Sequence, residues 1–523
     1  MLYQITFLLS IFMNYKEIWI DIRDEHELAE SQIIAPNDAT IVSHVTHDTP
    51  PPLTSNKRSA RVHNYSIAFG VNVMTLTSNN KQSMSMSIPS LLSSFSSLLS
   101  TYTRLTTAEE AAFKVLAKAR EAVAYGSRGV GGLIMDNRTG RVIAEGRNRR
   151  YLPVKPPFQS FDNEVITWDY TAHGEIELIK WYFSNRYRYY LPDPADLTIV
   201  TSLDPCAMCT GSIIASGFKV ATIALDKIGG MNINGNGAYT TLPLLLRRKA
   251  QDTSGLYAID GQRTYLGPPN IPLCNTAVTG ATGDACLNVF FNTPSSRVSP
   301  SEFTTVDDLI DPRSLSLKSA FRQKIMRAWP HAFSIRLSDP RRPTFALRRF
   351  LERLSHATPG STNAVAFIDP FGNLLVASAD YTHTHRGPVA TAFITTVETY
   401  AHTRYLLFNG ADTHNDSKRT LTEPRQGMFV WLYCPSPSLA TTFQDLGAYG
   451  STVRLSSLGT FQFFLPPRSG TIHDLRAQIA AMPPFYTQTV NIDPIQVGSA
   501  PTTLTRTALL NNDPNPETYP AYP

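Results

Sequence analysis

Four residues in this chain have types and spacings that can do chemistry: His173, Glu175, Cys206 and Cys209. They fall in two short strings, His173-Gly174-Glu175 and Pro205-Cys206-Ala207-Met208-Cys209. Thiolate and imidazole are preferred zinc ligands, and three protein ligands leave a fourth position open to water. A C-x-x-C pair on the first turn of a helix gains twice, because the helix N-terminus and a bound metal both favour thiolate over thiol. His173 supplies the third ligand. Glu175, two residues on, suits a different task. A zinc ion brings water's pKa toward neutrality, and a carboxylate alongside can take the proton and pass it on. A purely structural zinc site would want a fourth Cys or His, and none falls at a matching spacing.

The elements that must position these groups can be read from the flanking sequence. Thr106-Thr107-Ala108-Glu109 has the form of a helix N-cap with an acidic residue in capping-box position. An Ala-rich helix then runs to about Tyr125, with Phe113, Leu116 and Val123 as candidate core positions. Val130–Asp136 and Arg141–Gly146 are apolar runs around a turn cluster, which is a hairpin signal. A second helix is expected from near Thr171 through Trp181, a buried strand over Leu197–Ser202, a third helix from Pro205, and a strand over Val220–Leu225. This alternation implies α/β layers with helices packed on a mixed sheet.

With both strings placed at helix starts, the stretch from about Leu105 to Asp226 resembles the cytidine and deoxycytidylate deaminase superfamily. Within it, the likeness is greater to the tRNA adenosine deaminase and guanine deaminase branch. Val130-Gly-Gly-Leu-Ile with Ala144-Glu-Gly-Arg-Asn148 is similar to the family's first hairpin, Thr171-Ala-His-Gly-Glu-Ile to its metal-binding helix start, and Leu203-Asp-Pro-Cys-Ala-Met-Cys to the partner motif. The resemblance implies a three-layer α-β-α fold with a mixed central sheet. It also implies a Zn2+ cofactor on His173, Cys206 and Cys209, and Glu175 as the catalytic proton carrier. The implied reaction is hydrolytic loss of ammonia from a cytosine- or adenine-type base. Asn148 becomes a substrate contact, with a turn Asn as the alternative; Ala172 offers a backbone contact near the base. The substrate stays open between tRNA or other single-stranded nucleic acid and a free nucleoside, nucleotide or base. The rival from another class is a non-catalytic, zinc-stabilised binding protein.

Several segments depart from a minimal version of this pattern. The loop between Asn148 and Thr171 holds Pro153, Pro156, Pro157, Phe158, Phe161 and Trp168, and could be a pocket wall or a surface decoration. Tyr182–Pro194 mixes Arg186 and Arg188 with Tyr187, Tyr189 and Tyr190. That suits stacked bases and phosphates, or a helix end packing its tyrosines. The C-terminal half repeats the first in degenerate form. Thr344–His356 has a helical pattern, Ala364–Val376 reads as hairpin strands around a turn, and Pro388-Val-Ala-Thr-Ala-Phe puts Thr391 at the His173 position and Phe393 at the Glu175 position. Val430-Trp-Leu-Tyr-Cys-Pro-Ser-Pro-Ser-Leu laid on the Cys motif puts Ser436 and Leu439 at the cysteine positions. Such a copy cannot hold zinc. Its expected role is to supply a partner surface, as an intramolecular or homo-oligomeric pairing of deaminase domains.

The remaining expectations concern organisation. We expect a flexible or low-complexity region over residues 1–101, a catalytic domain over 102–260, a Gly/Pro-rich insert or linker over 261–312, a degenerate domain over 313–500 and a Pro-rich tail over 501–523. With 47 Lys plus Arg against 42 Asp plus Glu, the net charge of +5 is a faint basic bias over 523 residues and does not argue for nucleic acid by itself. The 5 cysteines are too sparse and odd for a secreted disulfide framework. Met1–Met13 is apolar but too short to span a membrane. The expectation is an intracellular protein, cytoplasmic or nuclear, with no membrane partner.

Overall fold

Helix α1 (Ala108–Ala124) opens on a capping box between Thr107 and Glu110, one residue later than the sequence pattern predicted. Its buried face is mostly alanine, with Ala111, Ala112, Val115, Leu116 and Ala119 turned inward. That small face lets the helix lie directly on strand β1 (Gly131–Asp136), where a Cβ at Gly131 would sit 2.3 Å from the Val115 carbonyl oxygen. Phe113, expected in the core, is on the opposite face and 56% exposed; close packing through alanine leaves no room for it inside. The computed structural model describes residues 103–232, 237–257, 265–293, 295–454, 460–466 and 472–498. The expectations for 1–101 and 501–523 lie outside them.

β1 pairs antiparallel with β2 (Val142–Arg147). A small hairpin, β3 (Tyr151–Pro153) and β4 (Val165–Thr167), precedes α2 (Gly174–Asn185). Next come β5 (Leu197–Leu203), α3 (Ala207–Ser216), β6 (Lys219–Ala224), α4 (Leu244–Thr253) and β7 (Ser254–Leu256). The sheet order is β2-β1-β5-β6-β7, with β5, β6 and β7 parallel and β1 antiparallel to β5. Side chains alternate across it. Leu133, Met135, Val200, Ala221 and Ile223 meet α1 on one face. Ile134, Ile199 and Val220 meet Leu178 and Ile179 of α2 and Ile213 of α3 on the other. This is the expected three-layer α-β-α arrangement with a mixed sheet.

The stretch expected to be a linker contains α5 (Gly280–Phe291), whose Cys286 joins the core under α1. Glu109, released from any capping role, accepts hydrogen bonds from the Thr279 and Thr282 hydroxyls at 2.9 and 2.6 Å and pins the start of α5. The chain continues through α6 (Ala320–Ala328), α7 (Phe345–Ala357), β8 (Ala364–Ile368), β9 (Leu374–Ala379), α8 (Ala392–Phe408) and α9 (His414–Thr420). It ends through β10 (Met428–Tyr433), α10 (Ala440–Val453), β11 (Gln462–Leu465), α11 (Ile472–Ala480), α12 (Pro484–Thr489) and β12 (Ile495–Gln496). The second sheet runs β9-β8-β10-β11-β12, again with two antiparallel pairings followed by two parallel ones. The topology is duplicated strand for strand.

The two copies share one apolar core. Ala207, Met208 and Cys209 of the first cluster with Phe393, Trp431, Phe443 and Tyr449 of the second. The crossing is between equivalent helices. A Cβ on Gly211 of α3 would lie 2.4 Å from the Gln444 backbone nitrogen, and one on Gly447 of α10 would lie 2.2 Å from that of Met208. The Asn148–Thr171 loop packs on the second copy and so is no mere surface decoration. Trp168 stacks on His402 of α8 with centroids 3.9 Å apart, Phe158 stacks on His414 at 4.7 Å, and the Tyr405 hydroxyl donates to the Pro153 carbonyl at 3.0 Å. The loop clamps the first copy to the second. Beneath it, Arg404 pairs with Glu302 at 2.6 Å, both buried, while the Thr167 hydroxyl donates to the same carboxylate. No described helix is long and apolar enough to cross a membrane.

Candidate active site

Two helix starts converge. His173 is the N-cap residue of α2 and Cys206 that of α3. The approach to His173 is a tight turn in which the Thr171 N–H and hydroxyl both donate to Asp169 Oδ1, at 2.7 and 2.8 Å. The approach to Cys206 is the end of β5, held by the Met231 N–H donating to the Pro205 carbonyl at 3.1 Å. Buried strands fix both turns, so the ligands are positioned by rigid elements.

His173 Nδ1 lies 3.6 Å from the Sγ atoms of both Cys206 and Cys209. With zinc–sulfur and zinc–nitrogen bonds of about 2.3 and 2.0–2.1 Å, a tetrahedral site places sulfur and nitrogen ligands roughly 3.6 Å apart. The donor set therefore fits zinc in both chemistry and spacing. His173, Cys206 and Cys209 form one of two groups of potential ligands among the described residues. The other, Asp169 with Glu398 and His402, already holds Lys180, whose ammonium is 3.2 Å from Asp169 Oδ2. His383 and His385 join neither.

The electrostatics of the three groups interlock. The bond from Cys209 and then the charge of His173 bring the Cys206 thiol well below its usual range, against burial. Burial and the Cys206 thiolate push the Cys209 thiol up. Burial opposes charge on His173, but Cys206 and Glu175 outweigh it and raise the imidazole.

Glu175 sits in the first turn of α2, almost fully buried, with Oε2 3.5 Å from Cys209 Sγ. Thr201 of β5 donates to its Oε1 at 3.1 Å. Burial, followed by the Cys206 charge, raises its carboxyl above the usual range. Asn148 accepts the Gly174 N–H on Oδ1 at 2.7 Å, which fixes the side chain and leaves its Nδ2 without a hydrogen-bond partner among the described residues. Ala172 is buried with both backbone groups engaged, its N–H to Asp169 and its carbonyl to Arg149.

Residues 105–225 match the family model of the cytidine and deoxycytidylate deaminase zinc-binding region. Over this segment the chain is similar to the zinc-binding region of that family. No curated protein matches the chain. Among solved structures, a tRNA A34 deaminase studied for A-to-I editing at the wobble position is 23% identical, with 24% of this chain and 81% of that chain covered at a TM-score of 0.18. Guanine deaminase from Nitrosomonas europaea is 19% identical over 37% of this chain and 87% of its own, with a TM-score of 0.23. Guanine deaminase from Bacillus subtilis is 20% identical over 26% and 71%, with a TM-score of 0.17.

The deaminase region can be compared with its silent copy group by group. Ala392 N–H donates to Asp380 Oδ1 at 2.7 Å, as Gly174 does to Asn148, and Tyr381 pairs with Ala390 as Arg149 does with Ala172. Thr391 caps α8 as His173 caps α2, which agrees with the sequence alignment. The Glu175–Thr201 bond is replaced by Phe393 stacked on Trp431 with centroids 4.9 Å apart. The cysteine positions are corrected by the structure. The reciprocal contacts of Gly211 and Gly447 align Cys206 and Cys209 with Thr442 and Asp445, not with Ser436 and Leu439. The Thr391 hydroxyl donates to Asp445 at 2.6 Å where His173 faces Cys209. The longer loop after β10 hides this shift from a linear alignment.

Sequence reasoning missed Thr201, and it missed Tyr486. The latter comes from α12 of the silent copy, is fully buried, and packs in the same core cluster as Ala207 and Cys209. No local motif marks a residue that arrives from so far along the chain. In the Arg-Tyr segment, Tyr182 packs inside, whereas Tyr187 and Tyr190 are 72% and 93% exposed.

Proposed function

We propose that this protein hydrolytically deaminates a cytosine- or adenine-type base. His173, Cys206 and Cys209 would hold a zinc ion, which when bound would make a water molecule nucleophilic near neutral pH. Glu175 carries protons from that water to the base and the leaving amine. Burial raises its carboxyl above the usual range, which favours the protonated form that a donor needs. Thr201 holds one carboxylate oxygen, which leaves the other facing the sulfur side of the site. Asn148, fixed by Gly174, presents its Nδ2 amide to the base, and the Ala172 carbonyl keeps a second lone pair for an amino group. The silent copy supports α3 from behind through Tyr486 and the glycine crossing.

The observation that carries this reading is Glu175 itself. A structural zinc site has no use for a buried carboxylate that lies against a ligand sulfur without being needed for coordination. The substrate class is open between a base in tRNA or other nucleic acid and a free nucleoside, nucleotide or base. The test is ammonia release by purified full-length protein from nucleobases, nucleosides, nucleotides and total tRNA. Zinc-loaded protein that releases none from any of them would leave the zinc-stabilised binding protein as the surviving reading.

A further inference from the structure

The first turns of α2 lie directly on a row of small residues. Gly146 of β2, Gly132 of β1 and Thr201 of β5 are successive cross-strand partners. A Cβ on Gly146 would sit 2.8 Å from Leu178 Cγ and 3.3 Å from the Gly174 carbonyl oxygen, and one on Gly132 would sit 3.0 Å from Leu178 Cδ1. With no side chain in the way, the helix drops until Glu175 reaches β5, where the Thr201 hydroxyl donates to its Oε1 at 3.1 Å. Both groups are buried, Thr201 completely. The Leu203 carbonyl is also within 3.2 Å of that hydroxyl, but an ionised carboxylate is the stronger acceptor for its single proton. The other buried hydroxyls of β5 serve the frame instead. Thr198 donates to Asn137 at 2.7 Å, and Ser202 accepts the Gly131 N–H at 3.0 Å.

The other carboxylate oxygen, Oε2, is 3.5 Å from Cys209 Sγ, yet Glu175 does not join the ligand group formed by His173, Cys206 and Cys209. Carboxylate oxygen is itself a zinc ligand, and a tetrahedral site holds oxygen and sulfur ligands roughly 3.6 Å apart. Spacing from Cys209 alone therefore does not keep Glu175 off a metal. What opposes that turn is the bond to Thr201, because a buried carboxylate oxygen that leaves its donor loses a charge-assisted hydrogen bond. The silent copy shows the pair lost together. Its equivalent row is Ser378, Val365 and Trp431, and Phe393 stacks on Trp431 where Glu175 meets Thr201.

We propose that Thr201 is a positioning residue that holds the Glu175 carboxylate away from the metal, so that a three-ligand site keeps its fourth position open. This rests on the zinc ligation and the proton-carrying role of Glu175 proposed above. Without the hydroxyl, Glu175 turns inward as a fourth protein ligand, and the site changes from the open kind that catalyses to the closed kind that only stabilises. Thr201 thus acts through Glu175 rather than on the substrate.

The test uses full-length protein loaded with cobalt(II), whose visible bands report coordination, and azide as the probe of an open position. Wild-type protein should bind azide with a change in those bands. Thr201→Val should shift the bands before azide is added and weaken azide binding by roughly 10- to 100-fold, the scale of one hydrogen bond to a charged group. Thr201→Ala removes the same hydroxyl and should act alike, which keeps the test intact if the valine variant does not fold. Thr201→Ser keeps the donor and should behave as the wild type. On a Glu175→Gln background, Thr201→Val should leave azide binding unchanged, because no carboxylate remains to turn inward. Metal content should stay at about one ion per chain in all of these variants. The proposal is overturned if the wild type takes up no metal or refuses azide, or if Thr201→Val and Thr201→Ala leave azide binding intact. It is equally overturned if they weaken azide binding as much on the Glu175→Gln background, since the effect would then not pass through Glu175. Ammonia release by the wild type separates the two ideas. Deamination with azide binding indifferent to Thr201 removes only the positioning role, and the expected azide pattern without ammonia from any substrate removes only the deaminase reading.

Discussion

Replacing Gly211 with alanine is the smallest perturbation that probes how the silent copy supports the zinc site. In an ordinary helix interior this change would stabilise by about 0.5–1 kcal/mol, because glycine loses more backbone freedom on folding. Here the new Cβ would lie 2.4 Å from the Gln444 nitrogen, 2.7 Å from its Cα and 2.7 Å from the Ala440 carbonyl oxygen. All three are backbone atoms of α10, so no side chain can rotate away and the two helices must separate. Overpacking of this kind costs about 1–3 kcal/mol. The propensity gain offsets only part, so a net loss of roughly 1–2 kcal/mol is expected. The separation also moves the turn carrying Met208 and Cys209, so the variant should surrender zinc to a chelator faster than the wild type. The assays are a urea midpoint and the rate of zinc release to a colorimetric chelator. Gly447→Ala should act similarly, and the double variant should lose less than the sum, because one separation accommodates both methyl groups. A Gly211→Ala protein as stable as the wild type, or more so, would refute the close crossing.

Further outcomes follow from the same geometry. Glu175→Gln should retain about one zinc per chain while deamination falls by roughly two to four orders of magnitude, whereas Cys206→Ala should lose the metal. Two zinc ions per wild-type chain would contradict the loss of ligands at Thr391, Thr442 and Asp445. Arg404→Leu strands the buried Glu302 carboxylate and should cost about 3–5 kcal/mol in denaturation, with Glu302→Gln on the same background recovering much of it. Asp169 is held at about 2: burial pushes it up, but Lys180, His402 and the Thr171 bonds prevail. A carboxyl depressed on folding stabilises above its unfolded value, near 4, and loses that contribution as pH falls through its folded value. Wild-type stability should therefore drop between about pH 4 and pH 2 more steeply than that of Asp169→Asn, measured by urea midpoints across that range.

The chemistry of the site was legible because it is local. His173 with Glu175 and Cys206 with Cys209 sit within single helical turns, where spacing alone dictates which atoms can face one point. The order of helices and strands was equally plain, since a buried strand such as Leu197–Leu203 shows its burial in its own composition. Duplication could be read from pattern, but its alignment could not. Thr391 was placed correctly beside an intact hairpin, whereas Ser436 and Leu439 were displaced by a longer loop whose length leaves no signature in a motif match. What only the tertiary structure decided is what reaches the site from elsewhere. Phe113 turned outward because an alanine face could pack closer to Gly131. Trp168 found His402, and Tyr486 joined the core behind α3. Such contacts follow from how two folded sheets dock, through a crossing at Gly211 and Gly447 where the absence of side chains is the deciding feature. A linear sequence carries no mark of which distant backbone will occupy that space.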